Sequence, residues 1–185
     1  MKTQIHKRSI SVDTYEIGEN TLLVEGELRD DRVFPSFVYS VGKFMEPGII
    51  HNIIVRITVS LPQLLIENAE ADMPHVPSEV CREVKSRVDE LVGMRIKHGF
   101  TQKILDIMGG IKGCIHMTNL ILAIASAAVQ GQWSYYSRKR DKTPIKFPEF
   151  DPSLVINSCW LWREDGDNIK RMVEIVEKEK ESKKS

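Results

Sequence analysis

Residues 51–60 read HNIIVRITVS. His51, Ile53, Val55, Ile57 and Val59 fall on one side of this run, and Asn52, Ile54, Arg56 and Thr58 on the other. A period of two among β-branched side chains dictates a strand with one face in a core. The stretch TLLVEGELRD (21–30) alternates in the same way, Leu22, Val24, Gly26 and Leu28 against Leu23, Glu25, Glu27 and Arg29. RSISVDTYEI (8–17) and SFVYSVGKF (36–44) read as two more strands. After Leu61-Pro62, LLIENAEADM (64–73) reads as a strand antiparallel to its predecessor across a tight turn.

Beyond Pro77 the period changes. Val80, Val84, Val88 and Leu91 stripe a helix that Ser78 can cap and Gly93 can stop. Thr101 can cap a short helix, QKILDIM, which Gly109-Gly110 ends. A long buried helix is expected from about Cys114 towards Gln130, then the aromatic and cationic WSYYSRKRDK (133–142). LVINSCWLW (154–162) reads as a late strand. Asp167 can cap a final amphipathic helix striped by Ile169, Met172, Val173 and Val176. Strands first and helices after predict α+β, a mainly antiparallel sheet from the N-terminal half with helices on one face.

With 185 residues, 42% of them hydrophobic and 28% charged, the chain fits one soluble domain with a substantial core. Lys+Arg and Asp+Glu are 26 each, so no bulk positive field points to nucleic acid. WSYYSRKRDK could grip a single strand, but cations at a helix end more often complement its dipole. Three cysteines, Cys81, Cys114 and Cys159, do not make a disulfide framework. The N-terminus lacks the apolar core of a signal peptide, and Leu120–Val129 is too short to span a bilayer. A cytoplasmic protein with reduced thiols, and no membrane partner, is expected. GGIKG lacks the Walker spacing, and no G-x-S-x-G elbow occurs.

The chemistry-bearing residues are few. Cys114 and His116 flank one residue at the mouth of the apolar helix, after Gly109, Gly110 and Gly113. Residues two apart diverge by about 200° on a helix, so the two side chains converge only if the helix begins around them. A cysteine there meets the positive end of the macrodipole, and Cys81 would occupy the first turn of its own helix. His51 stands at the start of a central strand. Cysteine is also a frequent core residue, a reading that weighs on Cys81 and more on Cys159.

GIIHNIIVRITV, PSEVC, LVGMRIKHGF and GGIKGCIHMTNL, in that order, with EGELRDDR upstream, resemble the bacterial domain-of-unknown-function family 2889 over roughly residues 8–131. That core would leave 132–185 as a C-terminal extension of the single domain 1–185. The family pattern has His-Asp at His51-Asn52, Pro-Tyr-x-x-Cys at Pro77–Cys81 and Gly-Cys-Thr-His-Leu-x-Glu-Leu at Gly113–Leu120. Asn52 and Asn119 therefore replace two carboxylates, which puts any family chemistry that uses them in doubt. The family implies no function. A weaker resemblance, to iron–sulfur scaffold proteins of the NifU/IscU type, implies a zinc or iron site in which Cys81 and Cys114 match two thiols, with His51 nearby and His116 as an extra ligand.

Together these residues lead to a metal-binding scaffold or accessory protein, with zinc or iron held by His51, Cys81, Cys114 and His116 and an unidentified protein as partner. Whether it is an enzyme stays open. One alternative is a cysteine-dependent enzyme acting on a small acyl or thiol substrate, with Cys114 as nucleophile and His116 as base. Another is a binding or assembly module whose cysteines are structural.

Overall fold

The computed structural model describes residues 1–138 and 156–182. Six strands form: β1 (His6–Gly18), β2 (Thr21–Arg32), β3 (Ser36–Val38), β4 (Lys43–Met45), β5 (Gly48–Ser60) and β6 (Leu65–His75). Four of them build an antiparallel sheet in the order β1-β2-β5-β6, and β3 and β4 pair as a separate hairpin. The segment read as one strand, SFVYSVGKF, is thus two. Gly42 turns the chain at φ +67°, and the amides of Val41 and Gly42 both donate to the Val38 carbonyl.

Alternation decides which face is covered. Leu22, Val24 and Leu28 of β2, and Ile53, Val55, Ile57 and Val59 of β5, are buried on one side. The other side carries a half-exposed ionic row in which Arg56 bridges Glu25 and Asp72. Helix α1 (Phe100–Met108) buries Phe100, Ile104 and Met108, and helix α2 (Ile115–Arg138) buries Met117, Leu120, Ile121, Ile124, Ala125 and Ala128. The α+β architecture follows.

Helix α2 lies along β2. A Cβ on Gly26 would stand 2.8 Å from Ile124 and 2.9 Å from Leu120, so only glycine admits the helix at this distance. At its far end the Tyr135 hydroxyl accepts from the Asn20 amide at 2.7 Å, and Gln132 Nε2 donates to the Pro62 carbonyl at 2.6 Å. Nineteen helical residues back from Tyr135, about 28 Å, bring the chain to His116. Ten strand residues from Asn20, about 33 Å, bring it to Asp30. The start of α2 and the end of β2 therefore meet.

Several local expectations are corrected. Glu79–Leu91 is a run of 3-10 turns rather than an α-helix, Ser78 makes no capping hydrogen bond, and only Val88 and Leu91 of the stripe are buried. Helix α1 starts behind Gly99 at φ +83°, so Thr101 lies inside it and caps nothing. Within LVINSCWLW, Leu154 and Val155 lie outside the described residues. From Ile156 the chain is a turn and a 3-10 turn, Trp160–Trp162, instead of a strand. Asn157 explains this: at φ +60° its amide donates to the Trp162 carbonyl, and its side chain accepts from the Glu164 amide. Cys159 is exposed. Helix α3 (Asp167–Ser182) follows, with Ile169 buried.

The chain divides into two compact units, Met1–Tyr135 and Tyr136–Ser185. Among the described residues no helix is long and apolar enough to cross a membrane.

Candidate metal centre

The in-facing row of β2 does not end in an apolar residue. After Leu22, Val24, Gly26 and Leu28 comes Asp30, only 1% exposed. A carboxylate at a core position demands partners. Pairing supplies them: Arg8 stands opposite Asp30 on β1, and His51 stands opposite it on β5. Strand alternation turns Asp31 outwards to Arg29, while Asp30 and then the buried Arg32 continue the core-facing row, and the register against β5 shifts directly after Asp30.

Arg8 grips the carboxylate with both arms, Nε to Oδ1 at 2.6 Å and Nη2 to Oδ2 at 2.7 Å. His51 Nδ1 lies 3.0 Å from Oδ2, and His116 Nε2, arriving from above on α2, lies 3.6 Å from the same oxygen. The two imidazoles lean together, ring centroids 3.9 Å apart and planes tilted by 30°. His6 adds a half-exposed ring, Nε2 3.4 Å from Oδ1.

The helix start that delivers His116 is held firmly. A Cβ on Gly113 would stand 2.6 Å from the Met108 carbonyl oxygen, so the turn out of α1 needs glycine. The buried Thr118 hydroxyl lies 2.9 Å from the Cys114 carbonyl and 3.1 Å from that of Met108, tying the first turn of α2 to the end of α1. Cys114, just ahead of α2, places its Sγ 3.6 Å from His116 Nδ1.

Burial favours the neutral form of Asp30, but the Arg8 hydrogen bond and charge, with smaller help from His51 and His116, reverse it. The carboxyl is held below its ordinary range. Burial pushes His51 down, Asp30 partly offsetting it, with Arg8 and His6 adding to the fall. His116 falls to about 4, by burial first and then by the charges of His51 and Arg8, against the pull of Asp30. At neutral pH the site is thus one carboxylate and two uncharged imidazoles, the protonation that metal binding requires.

Asp30, His51 and His116 each offer a ligand atom, all within 4.8 Å of one another. Of the four residues singled out in the sequence, the structure brings His51 and His116 into this cluster and sets Cys114 beside it. Cys81, half-buried at the head of the 3-10 run after β6, contributes no atom to it. Asp30, Arg8 and His6 were missed, although a carboxylate continuing an in-facing apolar row is itself a signal. The two asparagines that depart from the family pattern stand off the cluster. Asn52 points to the opposite face of β5, donating to Glu27 at 2.8 Å, and Asn119 is exposed.

No curated protein and no solved structure matches the chain, and the likeness to NifU/IscU scaffolds gains no support. A family model does match, over residues 6–130, which takes in β1 with Arg8, the sheet, and α2 from His116 as far as Gln130. The chain belongs to DUF2889, a family described as proteins of unknown function.

Proposed function

We propose that the chain is a metal-binding protein whose ion, zinc or iron(II), is held by Asp30 Oδ2, His51 Nδ1 and His116 Nε2. One observation carries the reading. A tetrahedral ion at about 2.0–2.1 Å from each ligand holds its ligand atoms about 3.3 Å apart, and the carboxylate oxygen stands 3.0 and 3.6 Å from the two imidazole nitrogens. Two imidazoles and a carboxylate suit zinc with an open position, or ferrous iron. Arg8 fixes the carboxylate through both of its oxygens, as partners of metal ligands do. This reading gives the chain an accessory or scaffold role. The test is metal content of untagged protein and calorimetric titration with zinc and with anaerobic iron(II). One equivalent is expected, lost in His51→Ala and His116→Ala, and absence of uptake in wild type overturns the reading.

A second reading has its own observation. Cys114 Sγ stands 3.6 Å from His116 Nδ1, and Asp30 Oδ2 stands 3.6 Å from Nε2 of the same ring. This is the order nucleophile, base, orienting carboxylate of a cysteine-dependent enzyme. The two readings require opposite tautomers of His116. The metal needs the lone pair on Nε2, whereas the nucleophile needs it on Nδ1.

A further inference from the structure

We propose that the metal-loaded centre takes a small oxyanion, held between the open side of the ion and the free edge of Arg8. This rests on the metal reading above. Charge balance comes first: a divalent ion beside Asp30 and Arg8 leaves two positive charges uncompensated. The acid nearest in sequence, Asp31, is turned outwards and paired with Arg29 at 2.9 Å.

Donor supply points the same way. A guanidinium has five N–H groups, and Asp30 occupies only the Nε and Nη2 side of Arg8. Among the described residues no hydrogen bond engages its Nη1, and the side chain is 38% exposed, so this edge is reachable from solvent. The half-exposed His6 ring also stands at the carboxylate, 3.4 Å from Asp30 Oδ1. The third contribution is the backbone. The 24-residue helix α2 begins one residue before His116 and carries no acidic residue of its own in the first turn, so the positive end of its dipole adds to the positive charge that Asp30 alone must offset. A planar carboxylate or a phosphoryl oxygen pair satisfies the guanidinium edge while one oxygen takes the open metal position.

The full-length protein loaded with cobalt(II), whose visible bands report changes in coordination, tests this by titration with sodium acetate and with inorganic phosphate. A saturable spectral change at about millimolar concentration is expected from at least one of them, and the tighter probe identifies a carboxylate or a phosphate as the natural group. Arg8→Gln, brought to one equivalent of bound cobalt with whatever excess of the ion it then needs, is expected to weaken that binding tenfold or more. If that variant does not fold, Arg8→Lys is expected to weaken it several-fold through loss of the flat edge. Cobalt uptake with bands indifferent to both anions, or unchanged anion affinity in the folded Arg8 variant, overturns the proposal alone. Failure of wild type to take up cobalt overturns it together with the metal reading.

Discussion

Gly26 of β2 and Ile124 of α2 touch so closely that a methyl group has no room between them, a Cβ at Gly26 falling 2.8 Å from the Ile124 side chain. This contact sets the height of α2 above the sheet. Gly26→Ala is expected to cost about 1–3 kcal/mol by overpacking, a fall of about 2–4 °C in Tm per kcal/mol. His116, two turns before Ile124, moves with the helix, so zinc affinity should fall as well. Thermal denaturation and zinc titration on the same variant check both. Lost stability with unchanged affinity would show that the helix tilts about its N-terminal end instead of lifting.

Asp30 and Arg8 are partners of unequal burial, 2% and 38% exposed at the side chain. Removing either therefore has unequal consequences. In Arg8→Gln a buried carboxylate loses its main counter-charge, whereas in Asp30→Asn the freed guanidinium can reach water. In metal-free protein Arg8→Gln is expected to be the more damaging, by about 1–2 kcal/mol. Zinc should then stabilise Arg8→Gln more than wild type, because the ion takes over the neutralisation of Asp30. It should not stabilise Asp30→Asn. Urea denaturation of wild type and both variants, with and without zinc, gives all six values.

The imidazoles make metal-free stability sensitive to acid. His116 titrates near 4 when folded and near 6.5 when unfolded. Above the unfolded value neither state holds the proton, and there is no penalty. Between the two values the unfolded chain takes up a proton that the folded chain refuses, so stability falls as pH falls, by at most about 3 kcal/mol over the whole window. His51 is shifted in the same direction. Asp30, held below its ordinary range, adds a loss only at lower pH. Denaturant midpoints measured at about pH 7 and about pH 5 should therefore drop in wild type and drop less in His116→Gln.

The sheet was legible because strand alternation is local: Ile53, Val55 and Ile57 declare their face without reference to anything distant. The centre was legible only in part. His51 and His116 could be singled out from strand start and helix start, but Asp30 and Arg8 join them through the β1–β2 and β2–β5 registers, which no short window of sequence contains. Cys81 drew attention as a thiol at a helix start. Its segment proved to be 3-10 turns, and among the described residues no ligand cluster forms around it. Asn157 misled in a different way, since one left-handed residue is enough to turn a run that otherwise reads as a strand.

Cys114 separates the two functional readings. If a metal sits on His116 Nε2, the Nδ1–H faces Cys114 Sγ, and the sulfur is only a hydrogen-bond partner on the far side of the ring. Cys114→Ser should then keep zinc affinity within a few-fold, since a hydroxyl can accept the same proton, and Cys81→Ser should leave it unchanged. If Cys114 is a nucleophile, its thiol donates to Nδ1, and the Nε2–H faces Asp30. Iodoacetamide should then alkylate Cys114 in metal-free protein much faster than Cys81. His116→Gln should slow that reaction by about tenfold or more through loss of the base. Nitrogen NMR of the imidazoles reports the tautomer directly. A protonated Nδ1 with slow alkylation favours the metal, and a protonated Nε2 with fast alkylation favours the nucleophile. Zinc added to the second form should quench the alkylation only by forcing the proton across the ring, so the NMR tautomer and the alkylation rate should switch at the same metal concentration.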